Sequence, residues 1–363
     1  MQALHPSIVS SSYAHWTPQD WKLFLRQVVP APEGPGEASS PLLGQAVDLL
    51  TLQDREISLL PHGAAILATF PSNPANPLFY YQREAYLEVY NRVEFWKLLP
   101  GGADYLREQE DPLAIAYELG HWMDGRADVL ALKELVITKK KLTRLPSEIG
   151  RCVNLETVMV AYTPLTMLPM EFGTLPVLTY LYISHAPLRR LCAGFDELQS
   201  LEKLHIAHTE LENIDALGEL ENLKQLNLTG NHIKRAPATN AWKRLELLFL
   251  DNNQIDQLPD SFYEQPSLQC LGLSNNRLTE ISARIAQMVR LQRLFLGRNG
   301  LTTLPASLMN MQALSTVDIK ENKFEELPPY LGFIASLTHL TFKGNPVAHK
   351  AAFLNHVWTD INN

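Results

Sequence analysis

From residue 132 onward the apolar positions of the chain fall into a ladder. In the segment LKELVITKKKLTRLP the inward positions are Leu132, Leu135, Ile137, Leu142 and Leu145, closed by Pro146. The same spacing restarts at Leu155, Leu178, Leu201, Leu223, Leu245, Leu268, Leu291, Leu314 and Leu337. The step is 23 residues, except from Leu201 to Leu223 and from Leu223 to Leu245, where it is 22. A fixed period of this size predicts a solenoid, in which each coil stacks on its neighbours because it cannot bury its apolar face alone. Within each coil the second and third leucine-type positions alternate with outward residues, the period of a short strand. Ten such strands, stacked about 4.8 Å apart, make a parallel concave sheet on the order of 45 Å long.

The pattern L-x-x-L-x-L-x-x-N-x-L resembles that of leucine-rich repeat proteins. The 23-residue period with Leu-Pro in the second half of the coil is similar to the Ras-suppressor-like and bacterial intracellular repeats. The resemblance covers residues 132–346, about six-tenths of the 363-residue chain. It implies an α/β solenoid, a horseshoe with a parallel concave β-sheet, and a function in binding proteins whose identity differs case by case. The asparagine position is filled in the last six coils by Asn231, Asn253, Asn276, Asn299, Asn322 and Asn345. There the amide is predicted to bond backbone groups of its own turn and of the next coil. In the first four coils the position holds Lys140, Thr163, Ala186 and Thr209, which predicts a less regular N-terminal half. Leu-Pro at Pro146, Pro169, Pro259, Pro305 and Pro328 predicts extended or short helical turns on the convex side. The two 22-residue coils must be one residue shorter there.

Outside the ladder the patterning is mostly helical. Residues 17–29 read as a helix capped at Thr17 with Trp21, Phe24, Leu25 and Val28 on one face, and 30–41 as a Pro/Gly-rich linker. Residues 47–61 reproduce the repeat spacing with Arg55 in the asparagine's place, and read as a strand and turn in an N-terminal domain or as a detached, degenerate coil. Tyr86, Val89, Tyr90, Val93 and Trp96 mark a helix over 81–99, ended by Pro100-Gly101-Gly102. A further helix over 112–123 is predicted to cover the exposed end of the first coil. Phe353, Leu354, Val357, Trp358 and Ile361 share a helical face, predicting a C-terminal capping helix. The resulting division is a mostly helical N-terminal region and N-cap over 1–125, a solenoid of about ten coils over 126–346, and a C-terminal capping helix over 347–363.

Composition narrows the function. An apolar share of 46% and a charged share of 19% describe a soluble protein, and a net charge of −8 argues against nucleic acid as a partner. No secretory signal and no membrane-spanning run is visible. Three cysteines without paired clusters point to a reducing compartment, so a cytoplasmic location is expected; the chain is also expected to be a monomer. No phosphate-binding loop, nucleophile elbow, zinc-protease helix, CxxC or calcium loop is present, so no catalytic residue, metal or cofactor is expected.

Candidate function therefore rests on the outward strand positions. They form one column from Glu134 to His339, a second from Val136 to Thr341, and a third from Lys139 to Gly344. Two partner-binding clusters emerge on them. Met159, Tyr162, Tyr180, Tyr182, His185, His205 and His208 fall within three adjacent coils, and Leu247, Phe249 and Phe295 lie further along, flanked by Arg293 and Arg298. Exposed aromatic and arginine side chains are what binding hot spots are enriched in. His185, His205 and His208 read better as pH-sensitive contacts than as zinc ligands, since outward strand side chains diverge. Asp251, Asp318 and Glu321 read as a solvated face. The expected function is non-catalytic recognition of a protein partner on the concave face. The alternative is a signalling or enzymatic domain in the N-terminal region, targeted by the repeats.

Overall fold

The computed structural model describes residues 77–109, 116–239, 241–347 and 357–359. The readings of 17–29, 30–41 and 47–61 lie outside these residues. Among the described residues four α-helices precede the sheet: α1 (Pro77–Trp96), α2 (Gly102–Arg107), α3 (Leu119–Asp124) and α4 (Ala127–Leu130). The strands β1 (Glu134–Thr138), β2 (Thr157–Ala161), β3 (Tyr180–Ser184), β4 (Lys203–Ala207), β5 (Gln225–Asn227), β6 (Leu247–Phe249), β7 (Cys270–Gly272), β8 (Arg293–Phe295), β9 (Thr316–Asp318), β10 (His339–Thr341) and β11 (Trp358–Thr359) form one sheet in sequence order, parallel throughout. Short 3-10 helices line the opposite side, for example Ser147–Arg151, Met170–Thr174 and Ala306–Asn310, each entered from the proline of Leu-Pro in an extended conformation. The fixed φ of proline suits that entry and its missing N–H is not needed there. Both 22-residue steps keep strand register, Lys203↔Gln225 and Gln225↔Leu247, so the convex side absorbs the missing residue. In the second of them Trp242 fills the shortened space, fully buried, its indole N–H donating to Leu217 O at 2.8 Å.

The asparagines hold consecutive coils together, but toward the preceding coil rather than the next. Asn253 Nδ2 donates to Leu250 O in its own turn and to Leu228 O in the coil before, both at 3.0 Å, while its Oδ1 accepts from Ile233 N at 3.1 Å. Asn276, Asn299 and Asn322 repeat the arrangement. The direction follows from geometry: the amide sits on the carbonyl that the preceding strand presents at its end.

Where asparagine is absent the chain finds another solution, and the expected irregularity of the N-terminal half does not occur. β1 to β4 are five residues long, whereas β5 to β10 are three. Pairing runs on through Thr138↔Ala161, Ala161↔Ser184 and Ser184↔Ala207, so the backbone itself supplies the bonds that the amides supply later. The change comes at Asn231, whose Nδ2 takes Ile206 O at 2.7 Å. β4 and β5 then pair over three residues only. Lys140 turns outward to solvent, Ala186 is buried without polar need, and Thr209 bonds Asn231. The buried Thr163 hydroxyl has no partner among the described residues.

The N-terminal cover is larger than the 112–123 helix expected. Phe95 and Trp96 of α1, Leu106 of α2, Leu119 and Met123 of α3 and Val129 of α4 join the same continuous core as Leu135 and Ile137. Trp96 stacks on Tyr105 and contacts Trp122, which carries the Arg126 guanidinium over its ring. Asn91 of α1 reaches into the first coil, its Oδ1 accepting from Thr143 N at 2.9 Å and Arg144 N at 3.1 Å. In the second coil the matching N–H, of Thr166, is accepted by Thr143 O of the coil before. Asn91 therefore gives the first coil the acceptor that the first coil gives the second. Beside it, Arg92 and Glu148 form a nearly buried ion pair, 3.1 Å apart.

At the other end the stretch read as a capping helix is described only at 347 and 357–359, and Val347 bonds back to Phe324 O. Residues 358–359 are a strand: β11 pairs with β10 through His339↔Trp358 and Leu340↔Thr359, with Val357 before it in the core. A strand satisfies the row of N–H and C=O groups that β10 would otherwise expose at the sheet edge.

Replacing Asn253 by Ala should lower stability by about 2–4 kcal/mol, because three buried backbone groups lose partners at once. Thr163→Val, which removes an unpartnered hydroxyl at constant shape, should leave stability unchanged or raise it by about 1 kcal/mol. Urea unfolding followed by circular dichroism compares the two.

Candidate concave recognition surface

The register places each outward column as the sequence spacing predicts. Glu134, Thr157, Tyr180, Lys203, Gln225, Leu247, Cys270, Arg293, Thr316 and His339 are consecutive strand partners, as are Val136, Met159, Tyr182, His205, Asn227, Phe249, Gly272, Phe295, Asp318 and Thr341. The third column has a property the spacing did not reveal. Every member lies in the left-handed region, with φ between 51° at His185 and 81° at Gly344. Among the described residues, all non-glycine positive-φ positions belong to it. Holding an L residue there costs roughly 1–2 kcal/mol, least for Asn and nothing for Gly. The conformation lets each N–H donate across to the next coil, as Tyr162 N does to Ser184 O at 3.0 Å and His208 N to Thr229 O at 2.8 Å.

Because these residues leave the backbone in the same direction one strand apart, their rings meet face to face. Tyr162 and His185 stack with centroids 4.5 Å apart, and His185 and His208 at 4.8 Å. The stack ends over Gly230, where an added Cβ would lie 2.6 Å from His208 Nδ1. In the neighbouring column Tyr182 stacks on His205 at 4.4 Å. Tyr162, His185 and His208 are exposed; Met159, Tyr180, Tyr182 and His205 are half-buried. The first predicted cluster thus contains two ring stacks in neighbouring columns, Tyr162–His185–His208 and Tyr182–His205. Stacked imidazoles have parallel planes, and nitrogen lone pairs lie in those planes, so they do not converge on an ion. Among the described residues no three His, Cys, Asp or Glu side chains gather to hold a metal.

The second cluster is less of a unit. Phe249 and Phe295 are separated by Gly272, whose missing Cβ leaves room for the Phe249 ring and the Asp251 carboxylate. Arg298 is not a free flank, since it grips Glu321 with two hydrogen bonds of 2.9 and 3.1 Å. Arg293 is exposed and Leu247 half-buried.

Asp251 and Asp318 do not form the solvated face expected of them. Asp251 Oδ1 accepts from Ser274 N at 2.8 Å, and burial raises its pKa above the ordinary carboxylate value. Asp318 is 8% exposed and binds Lys320 through both backbone N–H and ammonium. Each pins a turn, and the nearby glycines Gly272 and Gly297 were the available signal for that crowding. The thiols are equally quiet: burial pushes Cys152 up to about 11 and Cys192 up to about 12, the opposite of an activated nucleophile.

Comparison with known proteins decides the family. The chain matches a leucine-rich repeat region over residues 120–248 and a two-copy leucine-rich repeat unit over 266–308. This is a leucine-rich repeat protein. Its structure is similar to that of the leucine-rich repeat protein LIC12759 of Leptospira interrogans, with a TM-score of 0.62 and 27% identity over 64% of this chain and 61% of that one. The functional domain of InlJ from Listeria monocytogenes shares the fold, with a TM-score of 0.55 and 23% identity over 63% of this chain and 48% of that one. The leucine-rich repeat protein described here thus spans less than two thirds of either relative's length. No curated protein matches it by sequence. Leucine-rich repeats generally mediate protein–protein interaction. Among the described residues, no helix is long and apolar enough to cross a membrane.

Burial lowers the His205 pKa, and His208 beside it adds to the shift. The folded state therefore resists protonation at His205 more than the unfolded chain does. The stability this gives is present above the unfolded value, about 6.5, and is lost as pH falls through it toward the lower folded value. Thermal unfolding of His205→Gln should accordingly decline less than wild type between about pH 7.5 and pH 5.

Proposed function

We propose that this leucine-rich repeat protein is a non-catalytic recognition module that binds a protein partner across its concave sheet. The observation that carries the reading is the ring-covered surface of β2 to β4. Tyr162, with 56% of its surface exposed, and the two imidazoles beside it occupy backbone positions where asparagine or glycine would cost less. Side chains held on a rigid sheet at a backbone cost are characteristic of binding surfaces rather than of packing. The absence of activated side chains among the described residues fits binding without chemistry, and the three free thiols fit a reducing, cytoplasmic setting.

Affinity capture from the source lysate, comparing wild type with Tyr182→Glu/Phe249→Glu, tests the reading. Both side chains are outward, so folding should survive, as circular dichroism would check. A partner held by wild type should be lost by the double variant, at a cost of about 2 kcal/mol or more. Retention of that partner would move the binding surface elsewhere.

A further inference from the structure

The chemistry of the partner follows from how charge is distributed on the concave face; this inference rests on the reading above. The chain carries a net charge of −8, yet the outward positions of β2 to β5 and the left-handed residue after each of these strands contain no carboxylate. The strip is bounded by Glu134 on β1 and Asp251 after β6. Around the rim, acids and bases pair from coil to coil, as in Lys133–Glu156, Lys224–Glu202 and Arg189–Glu210. Within the strip and at its edge, Lys203 and Lys139 form no ion pair among the described residues.

The imidazoles add to this polarity. His185, His205 and His208 are held face to face with one another or with tyrosines, which leaves their hydrogen-bonding edges at the surface. One edge of His185 meets the Ser184 hydroxyl at 3.4 Å. The groups facing the imidazoles from β2, β3, β4 and β5 are Tyr162, Tyr180, Tyr182, Lys203, Gln225 and Asn227. None of these is anionic near neutral pH. The carboxylates nearest in the chain, Glu202 and Glu210, are held at the strand's two ends by Lys224 and Arg189. A ring N–H at such an edge can donate to a carboxylate of the partner without displacing an internal acid.

We infer that the strip across β2–β5 docks an acidic, extended segment of a protein partner, with carboxylates against Lys203 and the three imidazoles and its body over Tyr162, Tyr180 and Tyr182. Four strands about 4.8 Å apart span roughly 14 Å, which matches about four to five residues of extended chain. Complementary charge then sets which segments are accepted, and the tyrosines supply the buried area.

The test uses the full chain and a fluorescein-labelled peptide of Asp, Glu and Phe, with its Asn/Gln counterpart as control, read by fluorescence anisotropy. The acidic peptide should bind and the amide peptide should not. Lys203→Glu should weaken binding roughly tenfold and His185→Ala/His208→Ala should weaken it severalfold, while Arg290→Glu outside the strip leaves it unchanged. Lys203→Gln, a milder change, should show a smaller loss in the same direction if Lys203→Glu proves poorly folded. Equal binding of the amide peptide, equal binding of an oligodeoxynucleotide, or indifference to both lysine variants would overturn the inference. If the acidic peptide fails but the captured partner is still lost on Tyr182→Glu/Phe249→Glu, the acidic segment is wrong and the concave surface stands. If partner capture is also indifferent to that double variant, both fall.

Discussion

A coil of this solenoid has too few residues to satisfy its own backbone, and the structure is organised by how each coil borrows bonds from its neighbours. From Asn231 onward a buried side-chain amide ties each turn to the coil before it, as Asn253 does to Leu228 O and Ile233 N. Before Asn231 the strands lengthen and the backbone ladder makes the connection instead. The same demand explains both ends. Asn91 presents a carbonyl to the first coil as a preceding coil would, and β11 completes the last strand. A solenoid whose terminal coils lacked these partners would expose unpaired groups and an apolar end together.

That constraint also builds the concave surface. The bond to the next coil requires one left-handed residue per turn, and this residue leaves the backbone in the same direction in every coil. Where it is Asn or Gly the requirement costs little. Where it is Tyr162, His185 or His208 the identical geometry yields a stack of rings, ended by the room Gly230 leaves for the last of them. The long-strand half of the sheet and the ring-bearing half are the same half.

The columns on which the candidate site is built were legible in the sequence because a strict period fixes register, and register fixes which side chains share a face. What period alone does not encode is which of two donors satisfies a given carbonyl. The longer β1 to β4, the direction of the asparagine bonds and the turn-pinning roles of Asp251 and Asp318 all depend on that local competition. Asn91 lies 52 residues from the turn it completes, outside any repeat, and no spacing rule points to it. The apolar residues near the C-terminus read as a helix face, but at Trp358 and Thr359 an open sheet edge sets the conformation instead.

The claim most in need of test is that contact with the partner is made by the concave face of β2 to β4. Site-specific photocrosslinking addresses it without disturbing charge or packing. A photoreactive phenylalanine analogue would be placed at Tyr182 on that face and, in a separate protein, at the exposed convex residue Phe333. The account predicts a covalent adduct with the captured partner from position 182 and none from position 333. An adduct from position 333 alone would contradict it.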